Sequence, residues 1–209
     1  DPQQAAMICE LVDIIPTVPH NVSNALAAAG LARALDVPHE DIQKALRDFR
    51  PGRHRIETVY ENNGVTWIND SKATNPHAAA ASLMSHLSVI WIAGGLAKGA
   101  DMEPLIQRAG GRIKAAILVG ADRQLIEAAL IKDAPDVPRI MIDTPDDYVR
   151  GGVSNSLMEA IVAEAAKHAA SGDAVLLAPA CASMDQFISY ADRGDRFAQA
   201  VKKVIAHEA

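Results

Sequence analysis

The chain has 209 residues, 49% of them hydrophobic and only 4% aromatic, with a formal net charge of −6. That length suits one large domain, or one domain plus part of another, with an Ala/Val/Leu/Ile core in layered α/β structure. The negative balance argues against nucleic acid or an anionic membrane as partner, and no apolar run is long enough to span a bilayer.

The chain opens without an initiator Met and is not read as beginning with a signal peptide. Met7 to Val12 reads as one strand or the end of a larger sheet. Pro16 and Pro19 break the chain before an Ala/Leu-rich helix from Val22 to Leu35. A second helix fits Glu40 to Phe49, with Ile42, Ala45, Leu46 and Phe49 on one face. Pro51-Gly52 is a turn and the expected domain boundary. Two helices and a strand are too little to fold alone, so residues 1–50 are expected to be the tail of a domain whose start is missing.

The pattern then becomes regular. Ile56 to Tyr60 and Val65 to Ile68 flank Asn62-Asn63-Gly64, a β-hairpin signal. Pro76 opens an alanine-rich helix ending near Met84, with Asn75 as its N-cap. Strand and helix then alternate: Val89 to Ala93, Met102 to Ala109, Ile113 to Val119, Asp122 to Ile131, Arg139 to Ile142, Asn155 to Ala169, Ala174 to Leu177, and a closing helix from Arg193 to Ala206. Short apolar strands between helices predict an α/β fold: a Rossmann-like, mostly parallel sheet covered on both faces, entered through the hairpin.

In such a sheet the loops Asn69 to Asn75, Gly94 to Gly99 and Ala178 to Ser183 leave the carboxyl ends of strands and share one edge. They offer Asp70, Lys72 and Thr74, then Lys98 on a glycine-rich loop, then Ser183, placed like an N-cap before Met184-Asp185. Two lysines, two hydroxyls and a carboxylate describe a site for anionic ligands, such as a nucleotide together with a carboxylated substrate. Each has a bland reading when taken singly. Asp70 and Lys72 can be an exposed pair, Lys98 a solvated loop lysine, Ser183 a plain helix cap, and Arg55 the polar entry to a strand. Cys181 reads as a small buried filler, and with Cys9 it forms no disulfide framework or metal spacing, which suits a reduced cytoplasmic setting. His20, His77 and His86 show no ligand spacing. Neither a dinucleotide fingerprint nor the Gly-Lys-Ser/Thr of a P-loop occurs in the sequence.

Several runs occur in order: His20-Asn21-Val22-Ser23-Asn24, Arg53-His54-Arg55-Ile56-Glu57, Asn69 to Asn75, Gly94-Gly95 with Lys98-Gly99, Pro179 to Phe187, and Arg193-Gly194-Asp195-Arg196-Phe197. From Pro19 onward the set resembles the Mur ligase family, and the Asp70 to Asn75 run resembles its D-glutamate-adding branch. One departure is Ala178, where the family pattern has Ser. The resemblance implies that residues 1–50 end a central ATPase domain whose P-loop lies outside this sequence. It implies that 53–209 form a carboxyl-terminal Rossmann-like domain binding the incoming amino acid, with 49–53 as a hinge for closure. It further implies a cytoplasmic, monomeric enzyme of peptidoglycan precursor synthesis, and no ligase activity from these residues alone. That enzyme joins D-glutamate to UDP-N-acetylmuramoyl-L-alanine with ATP and Mg2+, through an acyl phosphate; the metal is held mainly by the missing part. By the same resemblance Asn24 meets adenine, Asp70 the ribose, and Arg55 and Lys72 the nucleotide or its phosphates. Thr74, Lys98 and Ser183 clamp D-glutamate, assisted near Met184 and Tyr190, and Lys72 and Lys98 are the catalytic cations. The alternatives are a non-catalytic nucleotide-binding module, and a sister or folylpolyglutamate-type ligase with another amino-acid substrate.

Overall fold

A computed structural model describes residues 7–206. The chain divides into two compact units, Asp1–Gly52 and Arg53–Ala209.

In the first unit, α1 (Pro19–Ala34) and α2 (His39–Asp48) pack together. Pro19 occupies the first turn of α1, where its missing N–H costs nothing, so the helix begins before the expected Val22. Met7 to Val12 is not a strand. It is irregular and ends in a 3-10 turn, Leu11–Asp13, closed by reciprocal bonds between Glu10 and Asp13. No strand lies among the described residues of this unit to pair with it, and Met7, Leu11 and Val12 are exposed.

The second unit is a sheet, six-stranded among the described residues, in the order β1-β2-β6-β3-β4-β5. β1 (Glu57–Asn62) and β2 (Val65–Asn69) form the antiparallel hairpin. Its turn needs two left-handed residues, and Asn63 (φ 51°) and Gly64 (φ 76°) supply them. β3 (Val89–Gly94), β4 (Ile113–Val119), β5 (Arg139–Met141) and β6 (Ala174–Leu177) run parallel to β2.

Helices cover both faces. α3 (Pro76–Leu83), α4 (Glu103–Ala109) and α5 (Arg123–Asp133) form one layer; α6 (Ser156–His168) and α7 (Tyr190–Val204) form the other. Because side chains alternate along a strand, Ile90, Ile92, Ile117, Val175 and Leu177 join α6 and α7 in one core, around Trp67, Phe187 and Phe197. β6 lies between β2 and β3. The chain leaves β2 and β3 for the α3–α4 layer, but leaves β6 for α7 on the opposite face. That reversal opens the sheet at the carboxyl end of β6, where ligands bind in open α/β sheets.

Candidate active site

Four loops meet at this edge, locked main chain to main chain. The Ala180 N–H donates to the Ala73 carbonyl at 3.0 Å, tying the loop after β6 to the loop after β2. Leu96 and Ala182 exchange both hydrogen bonds, each at 2.9 Å, tying it to the loop after β3. Gly95 is required there: its φ is +126°, and a Cβ would lie 2.1 Å from the Ala182 carbonyl oxygen. The loop after β4 joins through Asp122, whose N–H donates to the Gly95 carbonyl (3.0 Å) and whose carboxylate accepts from Ala97 N–H (2.8 Å). Asp185 accepts from Ala121 N–H at 2.9 Å.

Beneath the loops lies a buried polar cluster that sequence reasoning left without a role. Arg193 of α7 is only 2% exposed and has no carboxylate partner among the described residues. Its Nε donates to Ser71 Oγ (2.9 Å), Nη2 to the carbonyls of Ser71 (3.0 Å) and Cys181 (3.2 Å), and Nη1 to Cys181 (3.3 Å). Burial pulls its pKa down to about 10, opposed by the charge of Asp185. Ser71 Oγ donates in turn to the Tyr190 carbonyl at 2.7 Å. Asn69 completes the cluster: its amide donates to His54 Nδ1 (2.9 Å) and the Gly194 carbonyl (3.1 Å), and its oxygen accepts from Ser71 N–H (3.2 Å). Gly194 permits this approach, since a Cβ there would lie 2.3 Å from His54 Nδ1. One signal was present in the sequence. Arg193 stands four residues before Phe197 and eight before Val201, in register with the buried face of α7.

The expected site residues fall around this frame. Asp70, Lys72 and Thr74 share the loop after β2, which Asn75 ends by capping α3 through Ala78 N–H at 2.9 Å. Asp70 is 8% exposed, and Ile56 N–H donates to its Oδ1 at 3.4 Å. Burial raises its pKa to about 6; the Ser82 hydroxyl, the Ile56 N–H and the Arg55 charge oppose the rise. The Ser82 hydroxyl stands outside hydrogen-bond geometry and has no partner among the described residues. Lys72 Nζ lies 3.8 Å from the centre of the Tyr190 ring, a cation–π contact that brings two expected residues together. Lys98 is exposed with φ +53°, and among the described residues its amine has no ion-pair partner. The hydroxyls of Thr74 and Ser183 likewise make no hydrogen bond among the described residues.

Ser183 is not a helix cap. No helix follows it; its carbonyl accepts from Gln186 N–H (3.2 Å) and Phe187 N–H (2.8 Å) in an irregular turn. The cap is Ser189, accepting from Asp192 N–H at 3.1 Å, so α7 begins at Tyr190 rather than at Arg193. Met184 is exposed on the turn, and Arg55 is exposed beside β1. Asn24 lies in the first unit, exposed on α1. Ala178 is buried, and its carbonyl accepts from Trp91 Nε1 at 2.8 Å.

Among the described residues no group of three His, Cys, Asp or Glu side chains could hold a metal ion, and no helix is long and apolar enough to cross a membrane. Cys181 is buried, and its thiol is pushed up to about 12 by that burial.

Residues 54–181 match the family model described as Mur ligase, glutamate ligase domain. The chain is 50% identical over 200 residues to the UDP-N-acetylmuramoylalanine–D-glutamate ligase of Streptomyces avermitilis, covering 96% of this chain and 41% of that protein. It is 47% identical over 199 residues to the ligase of the same name from Thermobifida fusca, covering 95% and 41%. The chain thus spans about two fifths of the length of these curated relatives. Two solved structures share the fold. A UDP-N-acetylmuramate–alanine ligase from Thermotoga maritima aligns with a TM-score of 0.58 at 15% identity, covering 90% of this chain and 39% of that one. A folylpolyglutamate synthase/dihydrofolate synthase from Yersinia pestis, complexed with AMPPNP and a manganese ion, aligns at 0.52 and 19% identity, covering 91% and 40%.

Proposed function

The chain belongs to the Mur ligase family through its glutamate ligase domain, and on that premise we propose that the whole protein adds D-glutamate to UDP-N-acetylmuramoyl-L-alanine at the expense of ATP. The carrying observation is that Lys98, Thr74 and Ser183 stand on mutually bonded loops at one sheet edge, with their polar ends unpartnered among the described residues. In this reading Lys98 attracts a carboxylate of the incoming amino acid as a point charge, while Thr74 and Ser183 donate hydrogen bonds to it. Charge-assisted bonds of this kind contribute roughly 1.5–3 kcal/mol each. Their shared frame, braced by Arg193, gives the orientation that an attacking amine needs.

The reaction is an amide ligation. ATP phosphorylates the carboxylate of the UDP-linked substrate, the amine of D-glutamate attacks the acyl phosphate, and phosphate leaves from the tetrahedral intermediate. Negative charge grows during both transfers, and a cation such as Lys72 suits it. Arg55, Asp70 and Lys72 are the nucleotide contacts proposed for the second unit; Asn24 is the adenine contact proposed for the first. Asp70 meets a ribose only through what little of it is exposed. The family's divalent metal finds no ligand cluster among the described residues. Likeness to D-glutamate ligases at 47–50% identity favours this reading over a non-catalytic nucleotide module or a folate-type ligase.

The test is phosphate release by the full-length protein with ATP and the UDP-linked substrate. Release that depends on D-glutamate is expected. Release that is indifferent to it, or that prefers another amino acid, would overturn the proposal.

A further inference from the structure

Residues 143–154 join β5 to α6 without regular structure, yet both ends of the segment are held by arginines. Arg123 of α5 donates from Nη1 to the Ile142 carbonyl at 2.7 Å and pairs with the Asp143 carboxylate. Arg196 of α7 donates to the carbonyls of Gly152 (2.6 Å) and Ser154 (2.7 Å), while Asp192 holds its Nε at 2.9 Å. Between these anchors the segment meets the turn that begins at Ser183. Tyr148 Oη donates to the Gln186 carbonyl at 2.7 Å, and Arg150 Nη1 to the Met184 carbonyl at 2.5 Å. Gln186 Nε2 donates to Thr144 Oγ1 at 2.7 Å. Contact is close enough that a Cβ on Gly151 would lie 2.7 Å from Ile188 Cδ1.

The turn itself belongs to no helix or strand, and inside it only the Ser183 carbonyl accepts main-chain bonds. That carbonyl holds the N–H groups of Gln186 and Phe187, whereas the Met184 and Gln186 carbonyls are held from outside the turn. A carbonyl held by a fixed donor fixes its whole peptide plane, including the N–H on the other side of the plane. Arg150 in this way orients the Met184–Asp185 peptide, and Tyr148 holds the Gln186–Phe187 peptide at its carbonyl while Ser183 holds it at its N–H.

We propose that residues 143–154 form a strap that positions the Ser183–Phe187 turn for the incoming amino acid, with Tyr148 and Arg150 as positioning residues. The identity of that ligand rests on the function proposed above; the strap itself rests on the bonds just described. Misplacing a binding group by a fraction of an ångström weakens binding of the group it serves and leaves distant sites alone.

Two readouts in the full-length protein test this. Tyr148→Phe keeps the ring, which packs against the core, and removes only the hydroxyl. Combined with Arg150→Met it is expected to raise the KM for D-glutamate about tenfold, on the order of one lost hydrogen bond per residue, with the ATP KM within about twofold. Arg150→Lys, which keeps a donor, is expected to recover part of the loss. Amide exchange at Gln186 and Phe187 is expected to quicken in the double variant, while β3 amides stay protected. Unchanged exchange in the turn, or KM values for D-glutamate and ATP rising together, would overturn the strap. If the wild-type protein shows no D-glutamate-dependent phosphate release, the functional proposal fails instead, and exchange alone decides the strap.

Discussion

The Nε of Arg193 donates to Ser71 Oγ across 2.9 Å, although the two residues stand 122 positions apart in the chain. The same guanidinium reaches the Ser71 and Cys181 carbonyls, so one side chain from α7 binds the loops after β2 and β6 from below. A buried cation with no carboxylate is stable only while such acceptors surround it. Arg193→Met is expected to strand those acceptors and cost about 3 kcal/mol. Arg193→Lys is expected to recover little, because an ammonium cannot span the same fork of acceptors. Urea unfolding reads both; a Met variant with the wild-type midpoint would show that the guanidinium does not join the loops.

Asp70 carries a pH signature. Its folded pKa is about 6 against 3.8 for the free side chain, because burial disfavours the carboxylate. The folded state therefore holds the proton more tightly than the unfolded state. The stability this contributes is fully present below about pH 4 and is lost as pH rises through about 6. A shift of about two units corresponds to about 3 kcal/mol over that window. Asp70→Asn is expected to remove this component. Denaturation at pH 4.5 and 7.5 should show a smaller loss with rising pH in the variant than in the wild type, and equal losses would refute the assignment.

Lys98 has no ion-pair partner among the described residues and is itself exposed, in a left-handed conformation. In the full-length protein Lys98→Ala is expected to raise the D-glutamate KM by about 10- to 100-fold, with the ATP KM much less affected. Steady-state kinetics with each substrate varied in turn decides this, and an unmoved D-glutamate KM would exclude Lys98 from the amino-acid site.

Thiol chemistry offers a simple check on the loop frame. Cys181 is buried with its pKa pushed up to about 12, whereas Cys9 is half-buried. Reactivity follows the exposed thiolate. Iodoacetamide at pH 8, read by peptide mass spectrometry, is expected to label Cys9 in the folded protein and Cys181 only after denaturation. Early labelling of Cys181 would mean that the loop after β6 opens readily.

What the amino-acid sequence determined by itself was what local pattern encodes: the hairpin at Asn63-Gly64, the strands from Val89 and Ile113, and the cap at Asn75. The predicted parallel topology put the loops of Lys72, Lys98 and Ser183 on one edge, and only the family resemblance implied roles for them. The local signals act over a few residues, where propensity and hydrophobic alternation decide. It misread Met7 to Val12, since an apolar run becomes a strand only beside another strand, and misread Ser183, since a serine caps only if a helix follows. Tertiary structure alone decided how the edge is braced. Arg193 with Ser71 and Cys181, Asn69 with His54 and Gly194, and Tyr148 with Gln186 are contacts between distant segments. A buried polar group must find its partner wherever packing delivers one, and the chain carries no local mark of where that will be.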